Sequence, residues 1–252
     1  MLTQPLFEQL KELHCHGMIE ALQEQMQQAD IHQLSFDERL SLIIERECIT
    51  RENRKLVTRL RQAKLKANAC LEDIDYTVSR GVSRVVIKQL ADCSWLGRKQ
   101  NLLITGPTGT GKTWLACALA NQACRRNFTA RYLRLPRLFQ ALEVAKGDGS
   151  YPKLLASLEK IQLLILDDWG LTPMDDIQRR DLLEILDDRH NQSSTIVTSQ
   201  LPVKLWHEAI GDMTLGDAIL DRLVHNSHRI DMKGESMRKK QATKLENLED
   251  KS

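Results

Sequence analysis

The chain is poor in aromatic side chains: four Trp, three Tyr and four Phe among 252 residues, or 4%. That is too few for a base-stacking sheet of the RRM kind, which uses aromatics to hold nucleotides. No CxxC pair occurs. The six cysteines (Cys15, Cys48, Cys70, Cys93, Cys117, Cys124) are scattered, which in a chain of this size points to reduced thiols and not to a disulfide framework. His14-Cys15-His16 has metal-ligating side chains, but adjacent helical residues diverge and no second ligand cluster accompanies them. No window reaches the roughly 18 apolar residues of a membrane span. The N-terminus lacks the basic start and apolar stretch of a secretory signal, so a cytoplasmic location is expected. Net charge is also small: 36 basic and 34 acidic residues give +2.

What is present is an apolar fraction of 42%, sufficient for one compact domain with a small appendage. Residues 1–66 read as helix. Phe7, Leu10 and Leu13, then Met18, Leu22 and Met26, recur at helical spacing. Ser35-Phe36-Asp37-Glu38 is a capping-box signature. It opens a long helix through Leu40, Ile43, Ile44, Leu56 and Leu60, and no Gly or Pro occurs from 18 to 80. Ala67 to Asp75 reads as a joint. Beyond it, short runs at Asn101–Thr105, Ala130–Arg134, Leu163–Leu166, Thr195–Thr198 and, weakest, Arg229–Met232 alternate with helical stretches. This pattern predicts an α/β domain over residues 67–240, a parallel sheet with helices on both faces in three α/β/α layers. A polar tail occupies 241–252. No internal repeat is evident.

Gly106-Pro107-Thr108-Gly109-Thr110-Gly111-Lys112-Thr113 matches G-x-x-x-x-G-K-[ST] at every fixed position. An apolar run precedes it and a helical stretch follows. The glycines allow a tight turn and a close backbone approach. The loop N–H groups then cradle phosphate oxygens, helped by the helix N-terminus. Lys112 is expected to reach the β- and γ-phosphates of ATP, and Thr113 to offer its hydroxyl to Mg²⁺. Downstream, Leu163-Leu164-Ile165-Leu166 ends in Asp167-Asp168. In parallel sheets ligands gather at the carboxyl ends of strands. Asp167 is therefore expected to act as the Mg²⁺ partner, and Asp168 to orient or deprotonate the attacking water. Asp is shorter than Glu, so turnover with ATP alone should be slow, about one per minute or below.

Residues 51–66 hold seven basic side chains (Arg51, Arg54, Lys55, Arg59, Arg61, Lys64, Lys66) against one acid, Glu52. Leu56 and Leu60 keep one side of this helix apolar. The cations suit a phosphate backbone, with counterion release and little base reading. A solvated amphipathic helix would carry the same charges, and charge alone does not separate the two.

The whole chain resembles the IstB-type ATP-binding proteins of insertion-sequence transposons, and its second half also resembles the helicase loader DnaC and the initiator DnaA. The residues concerned are the P-loop, Leu166-Asp167-Asp168-Trp169-Gly170, Val197-Thr198-Ser199-Gln200-Leu201-Pro202, Asp221-Arg222-Leu223 and Lys233-Gly234-Glu235-Ser236-Met237-Arg238. In the first half they are Phe36-Asp37-Glu38-Arg39-Leu40, Arg51-Glu52-Asn53-Arg54-Lys55 and Ala69-Cys70-Leu71-Glu72-Asp73-Ile74-Asp75-Tyr76. The resemblance implies an AAA+ ATPase that forms a homo-oligomer on duplex DNA and assists a transposase, its basic helix on the DNA. By position, Ser199 or Gln200 would be the sensor-1 group near the γ-phosphate; family members often carry Asn where Gln200 stands. Arg222 would be an arginine finger acting on a neighbouring subunit's ATP, and Arg238 the sensor-2 arginine. A helicase loader shares the module and is the near alternative. A small-molecule kinase would need an acceptor pocket and no neighbour's arginine. A DNA-binding protein with an inactive nucleotide site is the remaining alternative.

Overall fold

A computed structural model describes residues 3–77 and 80–237. The chain divides into two compact units, Met1–Thr58 and Arg59–Ser252. The division thus falls before residues 59–66, which had been expected with the helical N-terminal part. These residues are bonded into the second unit: Arg59 Nε donates to the Cys124 carbonyl and an Arg131 guanidinium N–H to the Gln62 carbonyl, each at 3.0 Å.

The first unit contains α1 (Thr3–Glu12), α2 (His16–Gln27) and most of α3 (Phe36–Ala63). Helix α3 starts at the expected box. Glu38 N–H donates to Ser35 Oγ at 3.3 Å, and Ser35 N–H donates to Glu38 Oε2 at 2.8 Å. A Cβ on Gly17 would lie 2.7 Å from Glu47 Cα, so a side chain there would force α2 away from α3. The buried Glu47 carboxylate accepts the Met18 N–H at 3.1 Å, satisfying an amide otherwise orphaned at the start of α2.

In the second unit, α4 (Arg84–Ala91) and α5 (Ser94–Gly97) lead into β1 (Asn101–Thr105) and α6 (Lys112–Arg125). Then follow β2 (Ala130–Arg134), α7 (Leu135–Asp148), α8 (Tyr151–Glu159), β3 (Leu163–Trp169) and α9 (Asp176–Arg189). The unit continues with β4 (Ser194–Ser199), α10 (Trp206–Ile210), α11 (Met213–Val224) and β5 (Ser227–Asp231). The five strands are parallel in the order β2-β3-β4-β1-β5. Both faces of the central strands are covered, which is why their sequences read as continuous apolar runs and not as alternation. Leu102, Leu103, Ile104, Leu163, Leu164 and Ile165 are fully buried. Helix α6 brings Ala116, Ala118 and Ala120 to the interior, small side chains that permit close packing.

Three strands differ in extent from expectation, β4 by only one residue at each end. β3 runs on to Trp169, whose indole packs on Trp206 at 5.0 Å between centroids. β5 begins two residues earlier, because pairing with β1 from Asn101↔Ser227 draws polar residues into the sheet. Behind the sheet, the buried Arg189 donates to the carbonyls of Leu158, Ile161 and Ser194 at 2.6–2.7 Å. It thereby satisfies acceptors at the C-terminal end of α8.

Candidate nucleotide site

The P-loop connects the carboxyl end of β1 to α6, and contacts as well as dihedrals require glycine at 106 and 109, dihedral alone at 111. Gly106 has φ +139°, and a Cβ there would stand 2.1 Å from the Met232 carbonyl oxygen. Gly109 has φ +81°, with Ser236 Oγ 2.1 Å from the same added atom. Gly111, at φ +99°, immediately precedes α6. The loop is closed by Thr110 Oγ1 donating to the Pro107 carbonyl at 2.9 Å. Lys112 Nζ turns back onto the carbonyls of Gly106 and Pro107, at 2.6 and 2.8 Å. Burial lowers the Lys112 pKa, against the pull of Asp167 and Asp168. An anion entering the loop would relieve that penalty.

At the end of β3 the pairing with β4 is irregular. Leu166 pairs with Val197 and Trp169 with Ser199, so Asp167 and Asp168 together face Thr198. This bulge sends the two carboxylates in different directions. Asp167 is buried, and its oxygens accept from Thr113 Oγ1 (2.9 and 3.1 Å), Tyr132 Oη (2.5 Å) and Thr198 Oγ1. Burial and the Asp167 carboxylate hold the Tyr132 phenol far above its ordinary pKa, so it stays a donor. Asp168 has φ +67° and accepts from Arg134 Nε at 2.6 Å.

Lys112, Thr113, Asp167, Asp168, Ser199 and Gln200 all line one cavity of about 730 Å³. Lys66, Ile74, Arg80, Trp114 and Arg134 line it too. Ser199 is engaged in the backbone turn: its hydroxyl donates to the Trp169 carbonyl at 2.8 Å and accepts the Leu201 N–H at 3.0 Å. Gln200 is exposed at the rim. Arg222 is not in the cavity. Its carbonyl accepts from Asn101 Nδ2, at the amino end of β1 and so at the end of the strand opposite the P-loop. Its guanidinium pairs with Asp187. Arg238 lies outside the described residues, as does the tail 241–252. Of the seven basic candidates, Arg51 is paired with Glu47 at 2.6 Å, Arg59 is bonded to the Cys124 carbonyl and Lys66 lines the cavity. Arg54, Lys55, Arg61 and Lys64 are exposed. Tyr132, Thr198 and Arg134 were not singled out from sequence. Their signal was slight: polar residues at the carboxyl ends of the strands flanking β3.

The model of a family described as IstB-like ATP binding protein matches residues 8–245. The chain belongs to the IstB-like ATP-binding proteins. It is 50% identical over 244 residues to an insertion-sequence ATP-binding protein, y4pL, of Sinorhizobium fredii, covering 97% of this chain and all of that one. To the IS21 ATP-binding protein of Pseudomonas aeruginosa it is 34% identical, over 95% of this chain and 89% of the relative. Among solved structures, DnaI aligns with a TM-score of 0.57 at 22% identity, over 66% of this chain and 92% of its own. The DnaC helicase loader aligns at 0.52 and 18%, over 69% and 99%. These structural likenesses concern the fold alone, that of an AAA+ P-loop domain. This IstB-like protein thus belongs to an ATP-binding family and has that fold. Among its described residues no helix is long and apolar enough to cross a membrane.

Proposed function

We propose that this protein hydrolyses Mg²⁺-ATP as a homo-oligomer on duplex DNA and, in that state, recruits or stimulates the transposase of an insertion sequence. The observation that carries the reading is the single cavity in which the P-loop, Asp167 and Asp168 meet while Arg222 stands at the far end of the sheet. An arginine there has no access to its own subunit's phosphates, and one supplied to a neighbour ties hydrolysis to assembly. Thr113 Oγ1 beside the Asp167 carboxylate is a pair of hard oxygen donors, the set that holds Mg²⁺ together with substrate phosphates. When bound, the ion would neutralise charge developing on the phosphates. Lys112 then holds the β- and γ-phosphates, the loop amides cradle them, and Asp168 orients the attacking water. Gln200, at the cavity rim, senses the γ-phosphate better than Ser199, whose hydroxyl is committed to the main chain. Arg238 is the sensor-2 group. The exposed cations Arg54, Lys55, Arg61 and Lys64 supply the phosphate-backbone contacts. The insertion-sequence relatives support the transposase as partner.

The test is sedimentation of the purified chain with duplex DNA, with and without Mg²⁺-ATP, beside an Arg222→Ala variant. Large ATP-dependent assemblies on DNA, weakened in the variant, are expected. A monomer indifferent to both ATP and DNA would sink the reading. Binding to a replicative helicase instead of a transposase would replace it with a loader.

A further inference from the structure

Lys66 follows α3 by three residues and belongs by charge to the basic stretch, yet its side chain faces the nucleotide cavity. Its Nζ stands 3.9 Å from Asp167 Oδ2, and it lines the cavity beside Lys112, Thr113 and Arg134. The main chain that carries it is anchored. Ala63 and Ala69 are fully buried on either side of it, and the Gln62 carbonyl is held by the Arg131 guanidinium at 3.0 Å. The side chain, by contrast, remains 44% exposed, so a mobile ammonium is delivered from a fixed point.

The Asp167 carboxylate does not need it. Three hydroxyls, from Thr113, Thr198 and Tyr132, already donate to its oxygens. At 3.9 Å the lysine makes a Coulomb pair and not a hydrogen bond. Its three donors are left for a stronger acceptor. Of the other cations lining the cavity, Arg134 is bonded to Asp168 and Lys112 to the loop carbonyls, while Arg80 stands by Gly111 with its Nε buried and without a hydrogen-bond partner among the described residues.

We propose that Lys66 is a phosphate-binding residue of the ATP site, meeting the terminal phosphate and making the site prefer ATP over ADP. This rests on the nucleotide-site reading above. Thr113 and Asp167 mark the end of the cavity where the terminal phosphate and its cation sit, and Lys66 is the ammonium beside them. ATP brings to that end a charge that ADP lacks. A lysine provides a point charge with rotatable donors, suited to a phosphoryl group whose position shifts during a cycle. The same geometry removes Lys66 from the DNA-contacting set, because an ammonium directed into the cavity is not presented to a duplex.

The experiment is calorimetric titration of the full chain, with Mg²⁺, against ADP and the non-hydrolysable analogue AMPPNP, for wild type, Lys66→Ala and Lys66→Arg. Lys66→Ala should weaken AMPPNP about tenfold and ADP less than about twofold, one charge-assisted contact's worth. Lys66→Arg should restore most of the loss, a rescue that a packing role would not give. Nucleotide-free Lys66→Ala should keep the wild-type DNA affinity and salt slope. Equal effects on the two nucleotides, or none, would overturn the assignment. So would a drop in DNA affinity with a salt slope reduced by about one. Wild type binding neither nucleotide would instead defeat the site reading itself and the lysine's role with it, an outcome distinct from an unchanged ratio in a site that binds both.

Discussion

Arg134 Nε donates to Asp168 Oδ2 across 2.6 Å, linking the carboxyl ends of two neighbouring strands. Asp168 is carried there by a bulge and a left-handed φ of +67°. A carboxylate so engaged has one oxygen occupied by a guanidinium, and that oxygen is not free to accept a hydrogen bond from an attacking water. Arg134 also lines the cavity, so a bound phosphate offers it a second anion and a route to release Asp168.

Removing the arginine should therefore free the base. We expect Arg134→Ala to raise ATP turnover without DNA or partners by roughly threefold to tenfold, and Asp168→Asn to lower it by about a hundredfold or more. Steady-state phosphate release measures both. If Arg134→Ala slows turnover as Asp168→Asn does, the arginine serves catalysis and does not restrain it.

Lys112 should produce opposed pH dependences. Burial places its folded-state pKa below the ordinary lysine value of 10.5. Between the lowered value and 10.5 the unfolded chain holds the proton and the empty folded protein does not, so this group's contribution to stability rises with pH in that window. Nucleotide affinity, which needs the ammonium, should fall across the same window. Thermal unfolding of the empty protein and ADP titration over an alkaline series test this. Parallel slopes, or persistence of both in Lys112→Met, would contradict it.

Two glycines should respond oppositely to alanine. At Gly106 the added Cβ meets the Met232 carbonyl at 2.1 Å with φ +139°, so Gly106→Ala should cost about 2–4 kcal/mol and impair nucleotide binding. Gly147, in α7, has nothing within 4 Å of an added Cβ. There Gly147→Ala should stabilise by roughly 0.5–1 kcal/mol. Chemical denaturation curves give both values, and similar shifts in the two variants would refute the contact argument.

Arg189→Met should destabilise by about 3–5 kcal/mol, since it strands the buried carbonyls of Leu158, Ile161 and Ser194. Because Arg189 is not among the residues lining the nucleotide cavity, ADP affinity at low temperature should stay within about twofold of wild type. A loss of affinity without a loss of stability would show that the residue acts on the site.

Much was legible without coordinates. The P-loop is local: its glycines, lysine and threonine are contiguous, and the strand before and helix after it follow from an apolar run and helical spacing. Asp167-Asp168 was legible because an apolar strand ends in acids. Ser35 and Glu38 announced the start of α3. Each signal lies within a few residues.

What the tertiary structure alone decided is where distant chain segments meet. Thr113 and Asp167 are 54 positions apart, Tyr132 and Asp167 35, and Arg134 and Asp168 34. These contacts depend on strand order and register, which parallel crossover connections do not reveal locally. A bulge decided that two adjacent aspartates have different partners. The basic stretch was legible as charge, but charge pattern says nothing of direction. One of its cations pairs with Glu47, one caps a carbonyl, and Lys66 turns to the nucleotide cavity. The sequence by itself determined which chemistry the chain carries, because phosphate binding is written in one loop. The packing of β2, β3 and β4 determined which side chains attend that chemistry, because hydrogen-bond reach is set by position in space and not along the chain.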